Sequence, residues 1–179
     1  MSITSQYTQV GREDFVRGGR YWVSMSLFEP TNPLPPNVAN RLNHTVENPA
    51  GSGKNVFLTR LEVSSNVGGQ FPKIYRDPTG NLPTTAQKIF NANLSITSSP
   101  VTLIKADMTA QVSQSAGEYT GGSFIGYAGG PGSTLGGEFQ VTFPPFFLPP
   151  GKTFGITTRY LNAVTLWLVA EWFEEDMTF

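Results

Sequence analysis

Apolar residues along this chain recur at every second position, in short runs separated by glycine and proline. The pattern is clearest from Glu138 to Glu175. Phe139, Val141 and Phe143 alternate with Glu138, Gln140 and Thr142, the signature of a strand with one buried face. Pro144-Pro145 and Pro149-Pro150-Gly151 interrupt it, because proline cannot donate to a ladder and glycine permits a tight reversal. Phe154, Ile156, Thr158 and Tyr160 alternate again, and Leu161-Asn162-Ala163 is read as a turn. The run from Val164 to Phe173 breaks the rule. Leu166, Leu168, Ala170 and Trp172 fill one face while Trp167, Val169 and Phe173 occupy the other, so this strand is expected to pack on both sides.

Upstream, Tyr21, Val23, Met25 and Leu27 alternate with Trp22, Ser24, Ser26 and Phe28 and predict a first strand. Pro30, Pro33, Pro35 and Pro36 form a rigid link. Arg41 to Glu47 reads as a weak strand, and Asn55 to Ser65 as a strong one built on Phe57, Leu58, Leu61 and Val63. A short strand over Phe71 to Arg76 is expected to end at the Asp77-Pro78-Thr79-Gly80 turn. Phe90, Ala92, Leu94 and Ile96 alternate cleanly, and further runs cover Val101 to Ile104 and Met108, Ala110 and Val112. Thr84 to Ile89 alone admits a helical turn. About eight to ten short strands with frequent turn residues predict an all-β fold, a two-sheet antiparallel sandwich of jelly-roll type. Residues 20–179 are expected to form this single domain, and the polar residues 1–19 an extended arm.

Composition agrees. The 179 residues include 19 glycines and 14 prolines, well above the roughly 12% these two types usually reach together. With 13 phenylalanines, 6 tyrosines and 3 tryptophans the chain is too aromatic for disorder. Twelve basic residues against thirteen acidic ones leave a net charge of −1. That balance argues against a nucleic-acid partner, whose binding rests on neutralised phosphates. Met1 to Arg20 lacks the basic-then-apolar arrangement of a secretory signal, and no apolar run approaches the length of a membrane span, so no membrane partner is expected.

Catalytic chemistry finds little to work with. There is no cysteine, and His44 is the single histidine, read as an ordinary strand-edge residue, so a triad or multi-histidine metal site is excluded. Ala50-Gly51-Ser52-Gly53-Lys54-Asn55 looks like a phosphate loop, but Asn48 stands where the first glycine belongs and Asn55 where Ser or Thr would hold magnesium. It is read as a turn. Glu171, Glu174, Glu175 and Asp176 are divided between two faces by alternation and are expected to form a solvated or intersubunit charge patch. No catalytic residue, metal ligand or cofactor is assigned.

Nine glycines fall between residues 117 and 137, a stretch read as an edge strand over Ser123 to Tyr127 or a long functional loop. Its Tyr119, Phe124 and Tyr127 are candidate loop contacts, able to stack on a sugar ring, anchor the loop or plug a neighbour. A glycan is therefore a secondary candidate partner. Trp167, Val169 and Phe173 are the main candidate interface, covered either by the chain's own arm or loops or by a neighbouring subunit.

The phrases running from Asn48 through Gly53-Lys54 to Leu58, and from Leu148 through Gly151-Lys152 to Ile156, precede a strand ending Glu171-Trp172-Phe173-Glu174-Glu175. Together they resemble the small single-jelly-roll structural proteins of tailed bacteriophages, over about residues 40–175. The resemblance implies a virion component, in capsid, head or tail, that assembles with its own copies and with other structural proteins. It carries no catalytic residues to transfer. The expectation is thus a non-enzymatic, self-assembling homo-oligomer located in a virion. Alternatives are a subunit of a bacterial surface or spore-appendage filament, joined by strand addition, and a carbohydrate-binding sandwich.

Overall fold

The computed structural model describes residues 13–28, 39–65, 73–80, 82–111, 119–127, 139–143, 145–160 and 166–177. Eleven strands run through them: β1 (Tyr21–Phe28), β2 (Ala39–Asn48), β3 (Lys54–Ser65), β4 (Lys73–Gly80), β5 (Ile89–Asn91), β6 (Leu103–Gln111), β7 (Tyr119–Tyr127), β8 (Phe139–Phe143), β9 (Phe146–Leu148), β10 (Lys152–Tyr160) and β11 (Leu166–Asp176). They form two antiparallel sheets. Sheet A has the order β5-β1-β11-β3-β8, with β9 also on β3, and sheet B the order β6-β2-β10-β4-β7.

The pairing is nested. β1 pairs with β11, β2 with β10, β3 with β8 and β4 with β7, so the chain is one long hairpin rolled into two layers. That is a jelly roll. Trp22, Leu58, Leu61, Leu168 and Trp172 from sheet A meet Leu42, Val46, Ile104, Phe154 and Ile156 from sheet B in one buried core. In β3 the core positions switch from even to odd numbers, from Val56 and Leu58 to Leu61 and Val63. A bulge explains the switch. Glu171 pairs with Arg60 but Trp172 pairs with Leu58, which leaves Thr59 extra and returns the apolar side chains to the core side.

Several local expectations are corrected. The alternation from Phe90 to Ile96 makes only the three-residue β5, and Leu94 is exposed. Local bonds win there: Asn91 Oδ1 accepts from the Asn93 amide at 2.8 Å and Asn93 Oδ1 from the Ser95 amide at 3.2 Å, turning the chain out of the ladder. Residues 84–89 form no helical turn. The Asp107 carboxylate accepts from the Thr84 and Thr85 amides (2.7 and 3.2 Å) and Ala86 bridges to Lys105, holding the segment extended along β6. Burial raises the Asp107 pKa, but hydrogen bonds from Thr85 and Thr84 outweigh it and leave the carboxyl below its ordinary value.

The Asp77-Pro78-Thr79-Gly80 turn lies inside β4, as an irregularity in its pairing with β7. Asp77 adopts a left-handed φ of 46° there, and its Oδ1 accepts from the Thr153 amide at 3.0 Å. His44 sits in β2, between β6 and β10, and is fully buried, not at a strand edge. Burial lowers its pKa from 6.5 to about 4. Of the segment expected as an extended arm, residues 1–12 lie outside the described residues, and residues 13–17 form a helical turn.

That turn ends in a recognisable cap. The Arg20 amide reaches the Phe15 carbonyl (2.9 Å) and the Gly19 amide the Val16 carbonyl (3.0 Å), with Gly19 at φ +67°. Any side chain at position 19 would also stand 2.8 Å from Ile96 Cγ1.

Candidate self-association surface

The outer face of sheet A carries the candidate interface. Core-facing positions in β11 are Leu168, Ala170 and Trp172, all buried, so Trp167, Val169, Glu171 and Phe173 turn outward. In β1 the buried Trp22 and Ser24 face in, and Val23, Met25 and Leu27 face out. The greasier face of β1 is therefore the outer one. Ser24 is accommodated inside because its hydroxyl donates to the Lys88 carbonyl at 2.9 Å.

This outer face has three zones. At one end, rings pile up across the strands. Phe15 stacks on Phe173 with centroids 3.9 Å apart and planes at 15°, Phe173 stacks on Phe57 at 4.7 Å and 11°, and Phe57 meets Phe147 at 5.1 Å. The Arg20 guanidinium lies 4.8 Å from the Phe15 centroid, on the same column. Phe173 is thus covered by a residue of its own N-terminal turn.

The middle zone is polar. The Tyr21 hydroxyl donates to Glu171 Oε2 (2.9 Å) and lies 2.8 Å from Thr59 Oγ1, in the bulge. Arg60 donates to Glu171 Oε1 at 3.1 Å and to Glu62 Oε2 at 2.6 Å. The bond to Glu62 raises the Arg60 pKa, burial opposes it and the bond to Glu171 adds to the rise, which wins overall.

The far end is apolar and open. Met25 stands opposite Val169, Leu27 opposite Trp167, and Phe90 of β5 opposite Val23. Met25 is 61% exposed, Leu27 54%, Phe90 49% and Trp167 41%, while Val23 and Val169 are half-buried. Four large side chains in adjoining register positions leave on the order of 400 Å² of contiguous apolar surface, the size at which a patch on a monomer is commonly functional.

No protein-family model, curated protein or solved structure matches the chain. The surface must therefore be read from its own chemistry.

Of the three residues singled out in the sequence, Trp167 and Val169 belong to the open apolar zone and Phe173 to the ring column. Met25, Leu27 and Phe90 complete the zone. Their alternation was visible in the sequence, but which face it presented was not. Tyr119, Phe124 and Tyr127 fall in β7, the edge strand of sheet B, and their side chains lie outside the described residues.

Two of the four acids expected in a solvated or intersubunit patch are not solvated, while Asp176 is exposed. Glu171 and Glu174 are both buried, 6% exposed each. Glu174 accepts from the Val101 and Thr102 amides (3.1 and 3.0 Å), the Thr102 hydroxyl (2.7 Å) and the Trp172 indole (3.3 Å). It fastens the segment entering β6 of sheet B onto β11 of sheet A. Residues 49–53 form the expected turn, with Gly51 and Gly53 at positive φ and β3 following directly. Lys54 after it pairs with Asp176. Among the described residues no group of three or more His, Asp or Glu is placed to hold a metal ion, and no helix is long and apolar enough to cross a membrane.

Proposed function

We propose that this chain is a non-enzymatic structural subunit that self-assembles, a component of a virus or bacteriophage particle. The observation that carries the reading is the open apolar zone of Met25, Leu27, Phe90 and Trp167 on the outer face of sheet A. A face of this kind gains from being covered, at roughly 1.5–3 kcal/mol per large side chain fully removed from water. The occupant we assign is a second copy of the chain. A patch that meets its own copy about a two-fold axis needs only self-complementarity, the commonest form of association. The zone lies on a sheet face and not along an edge, which favours face-to-face packing over the strand addition of a filament. The jelly roll is compatible with capsid proteins, lectins and cupins alike, so the fold adds consistency and no choice among them.

Sedimentation velocity on the purified chain and on Trp167→Glu tests the association. Wild type is expected to sediment as an oligomer, and the variant as a monomer with an unchanged melting curve. A wild-type monomer at high concentration overturns the reading. Peptide mass analysis of purified particles tests their content, and the chain's absence from them removes the virion part.

A further inference from the structure

The side chains facing inward at one end of the sandwich do not close on each other. A cleft of about 310 Å³ opens there between β9 and the β10–β4 pair. Its apolar floor is Phe146 and Phe154, whose ring centroids lie 4.4 Å apart, and Phe147 walls it with more than half its surface exposed. Leu148, Pro149, Thr153 and two cations, Arg76 and Lys152, complete the lining.

The two cations are not equivalent. Lys152 Nζ lies 2.9 Å from Asp77 Oδ2, and the other Asp77 oxygen takes the Thr153 amide. That carboxylate is fixed by the left-handed backbone at Asp77 and is spent on its partners. Arg76 is the register partner of Phe154, so it occupies a core-side position of sheet B at the mouth of the cleft. It is exposed, and against the burial that raises the Asp77 pKa its charge, after the bonds from Lys152 and Thr153, helps to hold that carboxyl below its ordinary value. Two cations, Arg76 and Lys152, share the single carboxylate of Asp77, which leaves one positive charge in excess beside the apolar floor.

We propose that this cleft binds a small organic monoanion with an apolar body, an aryl or alkyl carboxylate. Its ring or chain lies on the floor of Phe146 and Phe154, and its carboxylate meets the planar guanidinium of Arg76, which matches it with two parallel donors. The volume is at the small end of ligand sites. The mostly apolar lining favours an apolar body over a sugar acid, whose hydroxyls need several polar partners. This site borders the ring column of sheet A through Phe147 but includes none of Met25, Leu27, Phe90 and Trp167, so it does not depend on self-assembly.

Ligand-observed saturation-transfer NMR, which tolerates any assembly size, tests it on the full chain. The probes are 3-phenylpropionate, 3-phenylpropionamide and glucuronate. The acid is expected to bind saturably and about tenfold or more tighter than its amide, the worth of one charge-assisted contact. Arg76→Gln should reduce the acid to the level of the amide and leave the amide unchanged. Phe147→Ala should weaken both. No saturable binding of the acid, equal binding of acid and amide, or an unaffected Arg76→Gln overturns the proposal. Glucuronate binding as tightly as phenylpropionate overturns the assignment of an apolar body.

Discussion

The ring of Phe15 lies flat on that of Phe173, 3.9 Å between centroids. Two residues far apart in sequence thereby divide the outer face of sheet A. The end beneath Phe15 is closed by the chain itself, and the end around Trp167 is left open. Truncating Phe15 removes a stacked ring and its contact with Arg20. Phe15→Ala is expected to lower stability by about 1–3 kcal/mol, seen as a lower urea midpoint. Association through the far zone should persist in sedimentation.

Glu174 offers a sharper stability test. Its carboxylate takes two amides, a hydroxyl and an indole in a buried site. Glu174→Ala strands those donors, and leaving buried groups unsatisfied costs about 1–3 kcal/mol each. A loss of about 3 kcal/mol or more is expected in denaturant unfolding. Glu175→Ala, on the opposite face of β11, should change stability little.

His44 makes the fold acid-sensitive above the carboxylate range. Its pKa is lowered by burial from 6.5 to about 4, so between those values the unfolded chain binds the proton and the folded chain does not. Stability is then complete above pH 6.5 and falls as the pH drops toward 4, by about 3 kcal/mol in all. His44→Leu, similar in volume, should flatten urea midpoints across that window. Asp77 and Asp107 act lower. Burial raises both, but hydrogen bonds (from Lys152 and Thr153 to Asp77, from Thr85 and Thr84 to Asp107) hold both below 3.8. Their contribution is present above pH 3.8 and is lost below it.

Gly19 tests the N-terminal cap. A side chain there meets a left-handed φ and the Ile96 methylene at 2.8 Å together. Gly19→Ala is expected to cost about 1–3 kcal/mol, whereas Gly51→Ala, also at positive φ but with open space around it, should cost only its backbone strain, about 1 kcal/mol. Thermal melts of the two variants side by side check the difference.

Much of this fold was legible in the residues. The alternations of β1, β3, β8 and β10 and the proline punctuation around β9 mark strands because one side of each must leave water. The period-2 pattern does not say which side. In β1 the two serines face the core because a carbonyl is available to Ser24, and the methionine and leucine are left outside. Nor does alternation separate a strand from a run of Asx turns, where Asn91 and Asn93 satisfy the backbone locally. The cap at Gly18-Gly19 was visible in principle, as glycine following a polar turn. The cleft was not, because Arg76 and Phe154 become neighbours only through the pairing of β4 with β10.

The nested pairing also sets an order in time. Tyr21 and Glu171 are 150 residues apart, and β11 is the central strand of sheet A, made after every other strand. At ribosomal rates of about 5–20 residues per second, β1 waits roughly 10–30 s for its partner. Until then the open apolar zone does not exist as a surface, since half of it arrives with Trp167 and Val169. A nascent chain cannot associate prematurely through a face it has not yet built. The association proposed for this face would therefore begin only after β11 has been made.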